Sequence, residues 1–216
     1  PKPLKLSMVH RELAKFLAPS MSAHDYYGYI LYDKSLKILS ASDEPLIDQS
    51  AMPEHEKFLT STLQGQTTVS PPFPSVVMMK DEFGELRTGV PTMYVCAPVR
   101  DESFQVVAAL ALRIRPEREF TRILQLGQIG ASGETYAFDS NGLMISNSRF
   151  DPDLILLGLL PDHDHSRSIL NVQLRDPGGN MLAGYRSRIR RSQMPLTRMA
   201  ERAIAGTSGV DVEGYA

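Results

Sequence analysis

The chain of 216 residues contains one cysteine, Cys96, and no tryptophan. A single cysteine excludes an internal disulfide and any zinc site built from several thiolates. Cys96 sits in an apolar stretch, Tyr94-Val95-Cys96-Ala97, with no adjacent Lys or Arg. It reads as a small core residue, not a reactive thiol. No run of about 18 apolar residues is present, so no segment reads as a membrane-spanning helix. No secretory signal opens the chain, and the start at Pro1-Lys2-Pro3 is expected to be the edge of an excised fragment. Charge of one sign is also lacking: 23 Lys and Arg face 25 Asp and Glu, a net charge of −2. There is no basic footprint, so nucleic acid is not an expected partner. Gly178-Gly179 lacks the Lys and Ser/Thr that complete a phosphate loop. No Ser-His-Asp, Cys-His or paired-carboxylate arrangement stands out, so no catalytic residue and no cofactor is expected.

What is present is a repeat. Residues 29–42 (YILYDKSLKILSAS) and 135–148 (TYAFDSNGLMISNS) align without a gap. Each has an aromatic-Asp pair, Tyr32-Asp33 and Phe138-Asp139, then a polar turn, an apolar run and a closing Ser-x-Ser. A spacing of about 100 residues is too long for a solenoid repeat and suits two copies of a small domain.

Helical spacing of Leu6, Val9, Leu13, Phe16 and Leu17 predicts an amphipathic helix over 5–17, ended by Pro19. Residues 26–33 and 36–41 predict a hairpin, 43–53 a loop, and 54–64 a short helix stopped by Gly65. The stretch 67–75 begins extended and breaks at its prolines, and the polar 80–90 reads as an exposed hairpin loop. Segments 91–99 and 104–114, joined by a short polar connection, predict an antiparallel pair. A helix is expected over 116–126 with Phe120, Ile123 and Leu124 inward. A second hairpin is expected over 134–146 with a type I′ turn at Asn141-Gly142, and a helix over 195–205. Residues 209–215 read as the start of a strand.

This order predicts an α+β fold of two PAS-like modules, each an antiparallel sheet with covering helices. The expected division is a first module over 1–115, a connecting helix over 116–126 and a second module over 127–216. Counterparts of the two long strands would fall beyond Ala216, so the second module is expected to be truncated at its C-terminus.

The hairpin 26–41, the stretch Val69-Ser70-Pro71-Pro72-Phe73, and the strand pair around Ala97-Pro98-Val99-Arg100-Asp101 and Val106-Val107-Ala108-Ala109-Leu110 resemble the double Cache family. The strongest part is Ile129 to Gly142, where Gly130-Ala131-Ser132-Gly133-Glu134-Thr135-Tyr136 matches the family's habitual opening of the membrane-proximal module. The resemblance implies the extracytoplasmic sensor region of a bacterial membrane receptor, a kinase, cyclase or chemoreceptor. It implies a small-molecule ligand in the membrane-distal module, a periplasmic or extracellular location, a parent anchored in the membrane outside this chain, and a homodimer paired through the N-terminal helix. Amino-acid-binding members use an Arg-x-Trp-Tyr cluster and two aspartates. This chain has no Trp, and Ser75 and Leu110 stand near the two Asp positions. No ligand-binding residue is carried over.

From the residues themselves, the aromatic group around Tyr26, Tyr27, Tyr29, Tyr32, Phe73 and Tyr94 is the candidate pocket lining, with Tyr29 and Tyr94 central in their strands. Arg100 is the candidate cation for an anionic ligand. The candidate ligand-binding set is therefore Tyr27, Tyr29, Phe73, Ser75, Tyr94 and Arg100. His163 and His165, in Asp162-His163-Asp164-His165, have metal-ligand residue types but loop-like surroundings. Arg186, Arg188, Arg190 and Arg191 read mainly as a solvated basic run. Two alternatives stand beside the sensor: a cytoplasmic PAS-type module binding a cofactor or partner, and a metal-dependent enzyme using His163 and His165.

Overall fold

A computed structural model describes residues 8–127, 130–181 and 183–210. Its contacts divide the chain into two units, Pro1–Pro116 and Glu117–Ala216.

In the first unit, helix α1 (Met8–Ala23) precedes strands β1 (Gly28–Asp33) and β2 (Ile38–Ala41), then helix α2 (Glu56–Leu63). Short strands β3 (Thr68–Val69), β4 (Phe73–Pro74), β5 (Met79–Lys80) and β6 (Leu86–Arg87) follow, then the long β7 (Pro91–Arg100) and β8 (Val106–Ile114). The main sheet runs β2-β1-β8-β7-β3, all antiparallel, with β4 also paired to β7. This is a PAS-like order. The register places Ile30 beside Ala111, Tyr32 beside Ala109, and Cys96 beside Ala111. These residues share one face, with Tyr94, and Leu46, Ile47 and Leu59 close over it to make the core. Leu59, fully buried on α2, contributes about 2 kcal/mol by leaving water. Cys96 is fully buried, and burial pushes its thiol up to about 12, the behaviour of an inert core residue.

One turn recurs four times. At Asp33, Asp81, Asp101 and Asp139 the backbone N–H bonds to the carbonyl four residues on, and the Asp carbonyl accepts the N–H three residues on. In each, the carboxylate Oδ1 accepts the backbone N–H of residues two and four places on, at 2.8–3.0 Å. The third residue after the Asp is left-handed in every case: Leu36, Gly84, Phe104 and Gly142. The Asp of the repeated aromatic-Asp pair thus builds the turn by satisfying two amides that the ladder leaves over.

Several expectations need correction. Helix α1 does not end at Pro19 but runs through it to Ala23. Pro19 is exposed, so the Lys15 carbonyl that loses its partner can turn to water. The predicted stripe is mostly outward: Val9 and Phe16 are 71% and 79% exposed, while Leu17 is buried, and Leu6 lies outside the described residues. The polar 80–90 segment is the β5–β6 hairpin, and Asp81 within it is buried.

In the second unit, the expected helix 116–126 is a π-turn, Glu117–Thr121, continued by α3 (Arg122–Gln125), and Ile123 is 62% exposed rather than inward. Asn141-Gly142 is not a type I′ turn, because only Gly142 has positive φ; the shared Asp turn replaces it. The second hairpin pairs through isolated bridges, Phe138 with Met144 and Leu143 with Gln173, with Arg175 to Leu196 beyond. Around them Met144, Leu160 and Val172 form a small core with Tyr136 and Leu174. Helix α4 (Asp151–Leu156), unforeseen in the sequence, starts with Pro152 in its first turn and two acids there, both favourable. Helix α5 (Arg198–Ile204) is capped by the Thr197 side chain. Residues 209–210 form no strand, and 211–215 lie outside the described residues.

Candidate functional site

On the core face of the first unit, β4, β7, β8 and the segment 75–79 meet around a small cavity. Its walls include His55, Phe73, Ser75, Thr92, Tyr94 and Arg113, with Leu46, Val76, Val77 and Met79. The free space is about 20 Å³, room for one water.

Three of the ten lining residues are aromatic. The His55 ring lies 4.4 Å from Phe73 and 5.7 Å, edge-on, from Tyr94, and Phe73 lies 5.2 Å from Tyr94. The polar element is Arg113, 3% exposed at the end of β8. Its side chain faces inward because period-2 alternation puts it on the side of Ala109 and Ala111. Arg113 Nη1 lies 2.8 Å from Asp43 Oδ2, and Nη2 is 3.5 Å from the Tyr94 hydroxyl. The ion pair is short, yet Asp43 Oδ2 takes no well-aligned hydrogen bond. Burial works against the guanidinium's charge, but Tyr94 and Asp43 outweigh it, and the pKa of Arg113 is raised. Tyr94 is itself neutral near pH 7, since burial raises its own pKa. The charge that holds Arg113 is therefore that of Asp43. Two buried polar atoms here, Arg113 Nε and Thr92 Oγ1, have no hydrogen-bonding partner among the described residues. A buried donor left unmet costs about 1–3 kcal/mol, so this is a strained place to leave polar groups unless something meets them.

The six residues named from sequence fall in different places. Phe73, Ser75 and Tyr94 line the cavity. The Ser75 hydroxyl is already engaged: it accepts the Val90 N–H and donates to the Val77 carbonyl, both at 3.1 Å, and so pins the 75–79 segment. Tyr29 lies on the opposite face of the sheet, where its hydroxyl is 3.0 Å from Ser40 Oγ; Ser40 in turn meets His10 Nδ1 of α1 at 2.7 Å. Tyr27 stacks under the Arg115 guanidinium at 3.6 Å, outside the cavity. Arg100 sits in the exposed hairpin end, donating to Phe104 and Gly65 carbonyls. Sequence reasoning missed Arg113, Asp43, Thr92 and His55. The signal for Arg113 was there: a charge at an inward position of an otherwise apolar strand.

In the second unit, His163 and His165 occupy a turn in which His163 Nδ1 accepts the His165 N–H, with ring centroids 6.1 Å apart. The basic run is not uniform. Arg191 bonds the Leu159 carbonyl and burial lowers its pKa, whereas Arg188 and Arg190 are solvent-facing. Glu134, from the Gly-Glu-Thr-Tyr segment, accepts from the Ser148 hydroxyl at 2.5 Å and the Arg149 amide at 2.8 Å. Ser168 accepts the Ser148 N–H, and Asp151 accepts the Ser168 N–H. The motif residues of this unit thus build structure.

No family model matches the chain, and no curated protein matches it in sequence. Among solved structures it is similar to the sensor domain of Escherichia coli DcuS, at 16% identity over 56% of this chain and 77% of that one, TM-score 0.38. It is similar to the ligand-binding domain of Campylobacter jejuni chemoreceptor Tlp3, solved with 4-methylisoleucine, at 13% identity over 76% and 59%, TM-score 0.48. It is also similar to that of the Pseudomonas aeruginosa amino acid chemoreceptor PctB, solved with L-Arg, at 14% identity over 79% and 64%, TM-score 0.39. All three are sensor or ligand-binding domains. The chain spans less than two thirds of both chemoreceptor domains.

Proposed function

We propose that this chain is the extracytoplasmic sensing region of a bacterial signal-transduction receptor, and that its first unit is the membrane-distal module that binds a small molecule. The observation that carries this is the cavity on the core face of the sheet, where a buried guanidinium and a buried hydroxyl converge within an aromatic wall. Such a mixture of apolar lining and a few polar groups is characteristic of ligand sites. The resemblance of Gly130 to Tyr136 to the opening of a membrane-proximal module supports placing the second unit nearer the membrane. A ligand would favour one arrangement of the segments around the cavity and so bias the signalling state. The output, whether kinase, cyclase or chemoreceptor, lies outside these residues.

A thermal-shift screen over carboxylates, amino acids, amines, purines and sugars tests this. A ligand binding only the native state at 100 times its Kd adds about 2.7 kcal/mol. The expected result is a hit that vanishes in Phe73→Ala, which opens the aromatic wall; a hit unaffected by that change would place binding elsewhere.

The exposed stripe of α1 supports pairing of two copies through this helix. Met8, Val9 and Phe16 are each more than 70% exposed. Deleting residues 1–18 is expected to convert a dimer in solution to a monomer, read by light scattering. An unchanged dimer would refute pairing through α1.

A further inference from the structure

We infer that Asp43 is a built-in stand-in for the ligand's carboxylate, and that the ligand is a monocarboxylate with an apolar body, which displaces Asp43 from Arg113. The inference rests on the sensing function proposed for the first unit and names its ligand class.

Arg113 is 3% exposed and Thr92 1%, and both line the cavity. Arg113 has spent only part of its fork. One Nη is beside Asp43, one reaches weakly to Tyr94, and Nε is unmet. A guanidinium prefers two parallel bonds to one carboxylate, and Asp43 does not supply them. Asp43 is not part of the cavity wall and reaches Arg113 from beside it, with its side chain 28% exposed. It stands at the N-cap position of the 3₁₀ turn Glu44–Leu46, but its side chain makes no cap bond. The Leu46 amide that an N-cap side chain would take is already bonded to the Asp43 carbonyl at 3.0 Å, so a released carboxylate turns to solvent. The exchange therefore trades one anion for another on Arg113 and adds partners for Nε and Thr92 Oγ1.

The chemical class follows from what surrounds the cation. Among the described residues Arg113 is the one Arg or Lys lining the cavity. A second carboxylate on the ligand would enter a largely apolar wall unpaired, at high cost. Beside His55, Ser75 and Tyr94, the remaining walls are Leu46, Phe73, Val76, Val77 and Met79, and they call for a mainly apolar body. With only about 20 Å³ free, entry requires the 75–79 segment to lift. That segment is held to Val90 by Ser75 and exposes Val76 and Met78 by more than half.

The test is a calorimetric titration of the 216-residue chain with butyrate, benzoate, succinate, alanine and butyramide, in the wild type and in Asp43→Asn. Butyrate or benzoate is expected to bind, while butyramide and succinate do not. Asp43→Asn is expected to tighten monocarboxylate binding about tenfold, because a competitor occupying Arg113 roughly nine-tenths of the time is removed. It is also expected to lower the melting temperature of the ligand-free chain, because a buried charge loses its partner. Monocarboxylate binding weakened by Asp43→Asn, or alanine binding that requires Asp43, would overturn the stand-in role. A sugar, amine or purine hit in the broader screen, lost in Phe73→Ala, would keep the sensor and overturn the ligand class. No binding by either protein in either experiment would overturn both.

Discussion

Single residues in this chain show where local geometry and composition disagree. Phe104 holds a left-handed backbone, φ 60°, with its ring 79% exposed. The turn demands the conformation and the side chain gains little in return. Phe104→Gly is expected to raise stability by about 1 kcal/mol, measured as an increased urea midpoint with unchanged slope. A loss of stability would mean that the ring makes contacts that outweigh the strain. The same turn shows what was legible at this scale. The Asp of the repeated aromatic-Asp pair was visible in the sequence as a repeat, but not as a turn former. Asp81 and Asp101 went unrecognised because nothing flanking them resembles the repeat. Arg113 was hidden differently: in FQVVAALALRI it reads as the polar end of a strand, its alternation with Ala109 and Ala111 is the one hint that it faces inward, and the register with β1 and β7 bears this out.

At the scale of elements, long segments with one clear period were readable. The β7–β8 pair and α2 stand within a residue or two of where the sequence puts them. Short elements held by tertiary bonds were not. Helix α4 depends on Pro152 and on Asp151 reaching Ser168, a partner 17 residues away that no local pattern reveals. The second hairpin depends on side chains more than on a ladder. Glu134 gathers Ser148 and the Arg149 amide, and Ser146 Oγ receives the Ala137 N–H. Hydrogen bonds to a charged acceptor contribute about 1.5–3 kcal/mol each. Glu134→Ala is therefore expected to destabilise the second unit by roughly 3–6 kcal/mol. Amide exchange would show it as lost protection at Ile145 and Leu154 with protection in β7 and β8 retained. Equal loss in both units would contradict a role confined to the second.

For the whole molecule, two carboxylates give pH dependence of opposite sign. Burial raises the pKa of Asp151, partly offset by Ser168 and Arg167. Such an acid stabilises the fold fully below the ordinary carboxylate range and loses that contribution as pH rises through its folded pKa. Burial also pushes Asp33 upward, but the bonds from Ser35 and Lys37 together lower it, so its contribution is present above the ordinary value and is lost as pH falls through the folded pKa. Asp151→Asn retains an acceptor for Ser168 and removes the charge. Its stability relative to wild type is expected to be greatest at pH 7 and to shrink by pH 4, read from urea midpoints at both values. A difference independent of pH would mean that Asp151 does not titrate differently on folding. His10, Ser40 and Tyr29 form a polar chain that joins α1 to the sheet. Sliding the helix by one turn, about 5.4 Å, would carry His10 beyond reach of Ser40, whereas tilting about that contact would not. This polar chain therefore opposes sliding of the helix along its axis more than tilting about His10.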